Sequence, residues 1–314
     1  MTNVIELWAI VALALSLAVA FGRMIGRERE GWALLAVMML FLVAGCAGAY
    51  WAEAAGNPLL QHLGVAGGNM EGKEVRFGVP QSTVWSTFTT GASNGAVNSM
   101  HGSYMPLGGL VPLVLMQIGE VVPGGVGSGL YGNVVFAIIA MFVAGLMVGR
   151  TPEYLGKKLE SKEVKMAMLA ILIMPVFILG FAAISAVLPA ALAGLGNPGP
   201  RGYTEIFYAF SSVAANNGSA FAGLTANAPW YDTTLGIAML ACRFGIIVPV
   251  MAIAGSLAAK PRLAPSAGTF PTDRPLFIAL LTGVILIVSG LEFFPSVALG
   301  PIVEHFQMLA GKTY

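Results

Sequence analysis

Long apolar runs alternate with short polar segments along most of this chain. A helix needs about 20 predominantly apolar residues to cross a hydrocarbon core roughly 30 Å thick. The runs that meet this length lie at residues 4–22, 31–50, 166–192, 234–257 and 276–298. The pattern predicts an all-α polytopic membrane protein, folded as a single membrane domain over residues 1–314.

A sixth apolar run, residues 106–149, is about twice the length that one crossing requires. A segment rich in glycine, Pro123 to Gly129, interrupts it, and a continuous helix does not carry such a segment without breaking. The run is therefore either one crossing broken at mid-membrane or two crossings joined by a turn.

The distribution of lysine and arginine decides between these alternatives, because short cytoplasmic loops are enriched in both. If residues 106–149 cross once, most of the 16 basic residues fall on one side of the membrane. A double crossing places the basic clusters 23–29 and 150–165 on opposite sides. We therefore predict about six transmembrane spans, with both chain termini on the extracytoplasmic side.

Two polar stretches within residues 81–98 and 203–221 match at alanine, asparagine and glycine when offset by 123 residues, as Gly95 and Gly218 show. Each follows a run too short to span a bilayer and precedes a long apolar segment, which predicts two re-entrant loops. Irregular backbone at membrane depth is tolerated only where it is buried in protein or lines water. The alternative for either copy is an Asn-Gly turn that ends a helix and faces water.

The chemistry of these loops suits a dehydrated alkali cation, which needs oxygen atoms to replace its water. Backbone carbonyls supply them where side chains are small, and glycine adopts dihedral angles that turn carbonyls toward an axis. Short helices at 82–92 and 203–214 are predicted to aim their negative C-terminal ends at the ion. The predicted filter residues are Ser93, Asn94, Gly95, Ala96, Asn216, Asn217, Gly218 and Ser219.

We interpret Glu120 and Arg243 as the two formal charges deep in the spans, where ionisable residues are costly and usually functional. They are also 123 residues apart, so they occupy equivalent positions in the two copies. We predict that both face a shared interior; the alternative is a salt bridge that only orients the spans.

Composition narrows the possible functions. With 57% hydrophobic residues, 10% charged residues and a net charge of +1, the chain fits the class of polytopic membrane proteins. We expect it to contact membrane lipid and not to bind nucleic acid. Cys46 and Cys242 lie in apolar runs, so we interpret them as packing residues. His101 follows the first polar stretch, and we interpret it as a residue that forms hydrogen bonds within the loop. Neither a phosphate-binding loop nor an Asp-Lys-Thr-Gly motif occurs, so we do not expect this chain to hydrolyse ATP.

The specific motifs resemble the potassium-binding, channel-like subunit of the Kdp potassium-transporting ATPase over essentially the whole chain. They lie at residues 90–101, 116–122, 124–132, 149–158 and 216–224. The resemblance implies a K⁺ transporter superfamily fold of four pseudo-symmetric span, pore-loop, span units, of which this chain carries two.

The resemblance is to the C-terminal part of that subunit, and it implies the following division. Residues 1–30 form the last span of the second repeat, 31–150 the third repeat with pore loop 81–98, 151–260 the fourth repeat with pore loop 203–221, and 261–314 an inner linker and final span.

The resemblance implies a potassium-binding and translocating subunit of an ATP-driven, high-affinity uptake complex in the bacterial inner membrane. Backbone carbonyls of the filter would bind extracytoplasmic K⁺, the transported ion and sole metal. A P-type ATPase catalytic subunit would use the ATP, with small accessory subunits beside it. Another polypeptide would supply the first two pore repeats. The glycine-rich break would act as a gate beneath the filter, through Gly124, Gly125, Gly127 and Gly129.

Three alternatives to this interpretation stay open. The same filters would serve an ATP-independent K⁺ channel or symporter of the superfamily. The chain would be an inactive fragment if nothing supplied the two missing repeats. The glycine-rich break would be a structural kink without a gating role.

Overall fold

The computed structural model describes residues 2–119, 121–124, 128–149, 151–225, 227–264 and 269–312. In chain order the helices are α1 (Thr2–Met24), α2 (Glu28–Ala54), α3 (Pro58–His62), α4 (Gly78–Gly91), α5 (Pro106–Gln117), α6 (Ser128–Val148), α7 (Ser161–Val187), α8 (Pro189–Leu192), α9 (Gly199–Ala215), α10 (Pro229–Ala259), α11 (Pro275–Val297) and α12 (Val303–Leu309). Strands β1 (Glu153–Tyr154) and β2 (Lys157–Lys158) pair antiparallel between α6 and α7.

Within the part of the chain that the structure describes, six helical segments are long and apolar enough to cross a membrane, which confirms the predicted polytopic fold and number of spans. They contain α1, α2, α6, α7, α10 and α11. The α2 segment continues to His62, and the α11 segment continues through a π-helical turn to Leu309.

Helices α5 and α6 occupy the long sixth run, with the break between them. The 12 residues of α5 reach only about 18 Å, too short to cross alone. It packs on α2, α4 and α9, whereas α6 packs on α7, α11 and β1. Since two crossings joined by a tight turn would pack along each other, this arrangement agrees with one broken crossing.

The helix boundaries follow from local chemistry. Several helices have proline in their first turn, where the missing N–H removes no intrahelical hydrogen bond. These prolines are Pro58, Pro106, Pro189, Pro229 and Pro275. Helix α7 begins with a capping box, in which Glu160 accepts from the backbone of Glu163 and the Glu163 side chain accepts from the Glu160 backbone.

The core has two parts. One joins α2, α6, α7 and α11 around buried residues such as Leu34, Phe136 and Phe277. The other joins α7, α9, α10 and α11 around residues such as Phe207 and Cys242. Cys46 and Cys242 are both free, in agreement with their interpretation as packing residues.

A buried ion pair fastens the segment between α3 and α4 to the membrane helices. Lys73 Nζ lies 2.7 Å from Glu53 Oε2, and both side chains are fully buried. Asn69 donates to the same carboxylate at 2.8 Å, and the backbone N–H of Met105 donates to Glu53 Oε1 at 2.7 Å. The end of α2, the segment between α3 and α4, and the start of α5 therefore meet at the Glu53 carboxylate.

Replacing Lys73 by methionine should destabilise the protein strongly. The change leaves the Glu53 carboxylate buried without its counter-charge, which typically costs about 3–5 kcal/mol. We expect a clearly lower midpoint of thermal unfolding in detergent, and partial recovery in the Glu53→Gln, Lys73→Met double variant. Arg76→Met is the control, because Arg76 pairs with Glu74 at the exposed surface and should change little. Equal midpoints for the two single variants would contradict this assignment.

Candidate functional site

The two predicted re-entrant loops have the same backbone conformation after their short helices. Ser93 follows α4 and Asn216 follows α9, each in the left-handed region with φ 56°. The next residues repeat a hydrogen bond: Asn94 N–H donates to Thr89 O at 2.9 Å, and Asn217 N–H donates to Ser212 O at 2.8 Å. The 123-residue offset read from the sequence is thus a structural repeat. Both helices begin earlier than predicted, at Gly78 and Gly199.

The asparagine after each left-handed residue braces its own loop. Asn94 Oδ1 accepts from the backbone N–H of Ala96 at 2.8 Å, and Asn217 Oδ1 accepts from Ser219 N–H at 3.2 Å. The same side-chain to backbone hydrogen bond thus spans residues 94–96 and 217–219, as expected from asparagine in a tight turn. The short helix behind each loop adds a second brace. Trp85 Nε1 donates to Ala96 O at 3.0 Å, and Tyr208 occupies the equivalent position beside Ser219.

The two loops touch at the predicted filter glycines. A β-carbon on Gly95 would lie 2.8 Å from the Gly218 carbonyl carbon and 3.0 Å from Asn217 O, too close for any side chain. Gly218 has φ 101°, which strongly favours glycine. The sequence predicted that both positions need glycine for their dihedral angles, but only Gly218 has a positive φ. Gly95 needs glycine because the other backbone lies against it.

Two further hydrogen bonds cross between the loops. Asn217 Nδ2 donates to Thr90 O at 3.0 Å, and Ser93 Oγ donates to Ala215 O at 3.4 Å. The structure thereby brings together the eight predicted filter residues from two segments far apart in the chain. Asn217 and Ser219 are buried, whereas Ala96 and Gly218 are exposed, so one side of this cluster faces outward.

A buried series of hydrogen bonds continues from the second loop to the segment after the first. Ser219 Oγ donates to Asn217 Oδ1 at 2.7 Å and lies 2.9 Å from the Tyr208 hydroxyl. That hydroxyl lies 3.0 Å from His101 Nδ1. Burial, with a smaller contribution from the Lys73 charge, lowers the pKa of His101 to about 4, so the imidazole is neutral at pH 7. His101 therefore forms a hydrogen bond within the loop region, as the sequence predicted.

The sequence did not single out Tyr208, the centre of this series. A tyrosine on the apolar side of a short helix has no distinguishing local pattern. The available signal was its position, because Tyr208 lies 123 residues after Trp85.

The break between α5 and α6 lies under the first loop. The backbone N–H of Gly124 donates to Gly91 O, at the C-terminal end of α4, at 2.8 Å. A β-carbon on Gly129 would lie 2.3 Å from Pro123 O, so the return into α6 requires glycine at this position. The other two predicted gate residues, Gly125 and Gly127, lie outside the described residues.

A small cavity of about 60 Å³ lies beneath the C-terminal end of α9. Arg243 lines it, in agreement with the predicted interior-facing charge, and Glu120 lies outside the described residues. The sequence interpretation of Glu120 and Arg243 as the two charges deep in the spans was incomplete. Glu292 lies within α11 and lines the same cavity. Its place inside the apolar run 276–298 was the signal that could have identified it.

Known proteins support one family. The family described as KdpA, potassium-transporting ATPase A subunit, matches residues 1–306. Proteins named potassium-transporting ATPase potassium-binding subunit are similar over the whole chain. Those of Rhizobium rhizogenes, Mesorhizobium japonicum and Brucella anthropi are 62%, 59% and 59% identical over 313 residues, and in each case the match covers 55% of the relative.

The chain thus spans about half the length of the relatives that it matches. The match includes both pore loops, the glycine-rich break and five of the six candidate spans in full. Because this match covers nearly the whole chain, the chain belongs to the family of potassium-transporting ATPase A subunits.

Proposed function

We propose that this chain is part of the potassium-binding and translocating subunit of an ATP-driven K⁺ uptake complex. In this function, the paired loops bind extracytoplasmic K⁺ through backbone carbonyls and pass it inward. The observation that carries the proposal is the direct contact of the Gly95 and Gly218 backbones, in two loops that repeat the same hydrogen bonds.

The electrostatics of the cluster favour a cation. Helices α4 and α9 both end at the loops, so the partial negative charges of their C-terminal carbonyls face this region. The asparagine side chains are engaged in bracing hydrogen bonds, which supports the main-chain oxygens as the ligands. Backbone carbonyl rings replace the hydration shell of K⁺ in selective filters. The predicted filter residues Ser93 to Ala96 and Asn216 to Ser219 keep this role in the proposal.

Two loops form only half of a fourfold cage. The exposed positions of Ala96 and Gly218 leave one side of the cluster uncovered, and two further loops would complete the ring there. We propose that a polypeptide region carrying the first two pore repeats supplies them. The 55% coverage of the relatives supports this arrangement. The proposed repeats are residues 31–150 and 151–260, with residues 1–30 and 261–314 on either side.

The glycine-rich break is proposed as the gate beneath the filter, with Gly124, Gly125, Gly127 and Gly129 as its flexible residues. The hydrogen bond from Gly124 to the end of α4 supports this position. Irregular backbone at membrane depth must either line a cavity or be covered by protein. A loop that lies across an ion path would do both.

The energy for uptake would come from other chains. A P-type ATPase catalytic subunit hydrolyses ATP in this proposal, with small accessory subunits in the complex. The site is proposed to face the extracytoplasmic side of the bacterial inner membrane, as do both termini, because the basic loops lie on the opposite side.

Replacing Gly95 by alanine should impair potassium recognition. The new β-carbon would meet the Gly218 backbone at 2.8 Å and push the two loops apart. We expect the apparent KM for K⁺ to rise roughly tenfold or more, equivalent to about 1.4 kcal/mol of binding. The measurement is K⁺-stimulated ATP hydrolysis by the full complex. Gly283→Ala is the control, because a β-carbon there meets nothing within 4 Å. An unchanged KM in Gly95→Ala would refute the filter assignment.

Replacing Tyr208 by phenylalanine should weaken ion selectivity with little loss of stability. The change removes the hydroxyl between His101 and Ser219 and keeps the ring that stacks on Phe221. The hydroxyl takes part in two hydrogen bonds, and the loss of each typically costs about 1 kcal/mol, which is small against the ring packing that phenylalanine keeps. We expect Na⁺ or Rb⁺ to stimulate ATP hydrolysis better relative to K⁺ than in the wild type.

The matched control is Tyr203→Phe on the same helix. Its ring also stacks on an aromatic neighbour, and its hydroxyl has no hydrogen bond in the described part of the chain. Identical ion preference in the two variants would show that the buried hydrogen bonds do not shape the filter.

A further inference from the structure

The cavity beneath α9 contains a membrane carboxylate that the filter does not use. Glu292 lies in α11, inside one of the six candidate spans. Its Oε1 atom is buried and has no hydrogen-bond partner among the described residues. A carboxylate at membrane depth is expensive, and the ones that proteins keep usually bind or move ions.

The cavity has room for an ion. Its volume is about 60 Å³, whereas one water molecule needs roughly 10–15 Å³ on the same measure. A monovalent cation with several of its waters therefore fits. The polar side chains that line the space are Gln117, Tyr131, Asn216, Arg243 and Glu292, and the remaining walls include apolar residues such as Met174 and Phe293.

The cavity adjoins the filter cluster directly. Ala214, Ala215 and Asn216 line it, and these residues form the end of α9 and the start of the second loop. The negative end of the helix dipole adds to the Glu292 carboxylate, and both favour a cation. Ala215 also accepts the hydrogen bond from Ser93, so the same residue contacts both loop and cavity.

Arg243 supplies the opposing charge. Among the described residues that line the cavity, one carboxylate and one guanidinium supply opposite charges, so a cation that enters is held weakly. Conduction requires a site that is favourable enough to enter and weak enough to leave. The pair of charges thus suits a site of brief occupancy better than a storage site.

We propose that this cavity is a second cation site, beneath the filter, in which Glu292 is the charged ligand for a monovalent cation of the K⁺ class. The proposal rests on the proposed function, because the filter must deliver the ion. It assigns Glu292 a role in the rate of passage and leaves selection of the ion to the loops.

The test uses the complete subunit in its assembled complex, reconstituted in vesicles, with K⁺ uptake and ATP hydrolysis measured together. Glu292→Gln keeps the shape of the side chain and removes its charge. We expect maximal uptake to fall roughly tenfold, an effect of about 1.4 kcal/mol, while the apparent KM for K⁺ stays within about twofold. Glu292→Asp should recover most of the rate, because it restores a carboxylate.

Two controls separate ligation from structure. Gly290→Ala lies on the same helix, where a β-carbon meets nothing within 4 Å, and should leave uptake unchanged. The Glu292→Gln, Arg243→Gln double variant tests the simple ion pair. If Glu292 only balances Arg243, the double variant regains the wild-type rate; if Glu292 binds the cation, it stays slow.

Wild-type uptake in Glu292→Gln, or recovery in the double variant, would overturn the second site and leave the filter proposal intact. Absence of K⁺-stimulated activity in the wild-type complex would instead refute the proposed function. A higher KM in Gly95→Ala together with a lower maximal rate at unchanged KM in Glu292→Gln would support both proposals, each through its own kinetic constant.

Discussion

The contact between two backbones, at Gly95 and Gly218, is the constraint on which the site depends. The loops can approach this closely because Gly95 carries no β-carbon toward the Gly218 backbone, and because Gly218 can adopt a φ of 101°. Because they approach, the asparagine of one loop reaches a carbonyl of the other helix, and the two short helices end at the same place. In the proposed function, carbonyl oxygens and helix ends concentrate negative potential there, where a cation would lose its water.

Two clusters of buried charges, around Glu53 and around Arg201, hold that contact in position. Glu53 accepts hydrogen bonds from Lys73, Asn69 and the start of α5, and so fixes the segment that follows the first loop. Arg201 does the same at the start of α9, where it pairs with Glu304 at 3.1 Å and donates to Tyr104 O at 3.3 Å. Both clusters join elements that no continuous helix connects. In a low-dielectric setting, such fully bonded charges favour one arrangement over others, because any displacement leaves a charge unpaired.

The two repeats share a backbone but not its supports. Trp85 braces the first loop through a carbonyl, whereas Tyr208 braces the second through a side-chain hydroxyl and extends to His101. The second loop therefore depends on a segment of the first repeat. The two loops are therefore supported unequally, so equivalent substitutions in them need not have equal effects.

The sequence alone determined the number of spans, the two re-entrant loops and their 123-residue offset, and it predicted the break within the sixth apolar run. These features can be read from short stretches of sequence. The length of a span follows from the thickness of the membrane. A polar loop between apolar runs stands out because lipid offers no water to its backbone. The family resemblance was equally readable, since it rests on contiguous motifs. The proposed filter residues were predicted because asparagine and glycine recur at matching positions.

Only the tertiary structure decided which distant groups meet. It brought Gly95 against Gly218, Lys73 against Glu53, and His101 against Tyr208. It also placed Glu292 in the cavity with Arg243, although the two residues lie in different helices. Hydrophobic periodicity cannot predict such pairs, because it reports which residues leave water and not which neighbours they gain. Their positions depend on how the helices pack against one another, which is a property of the whole fold.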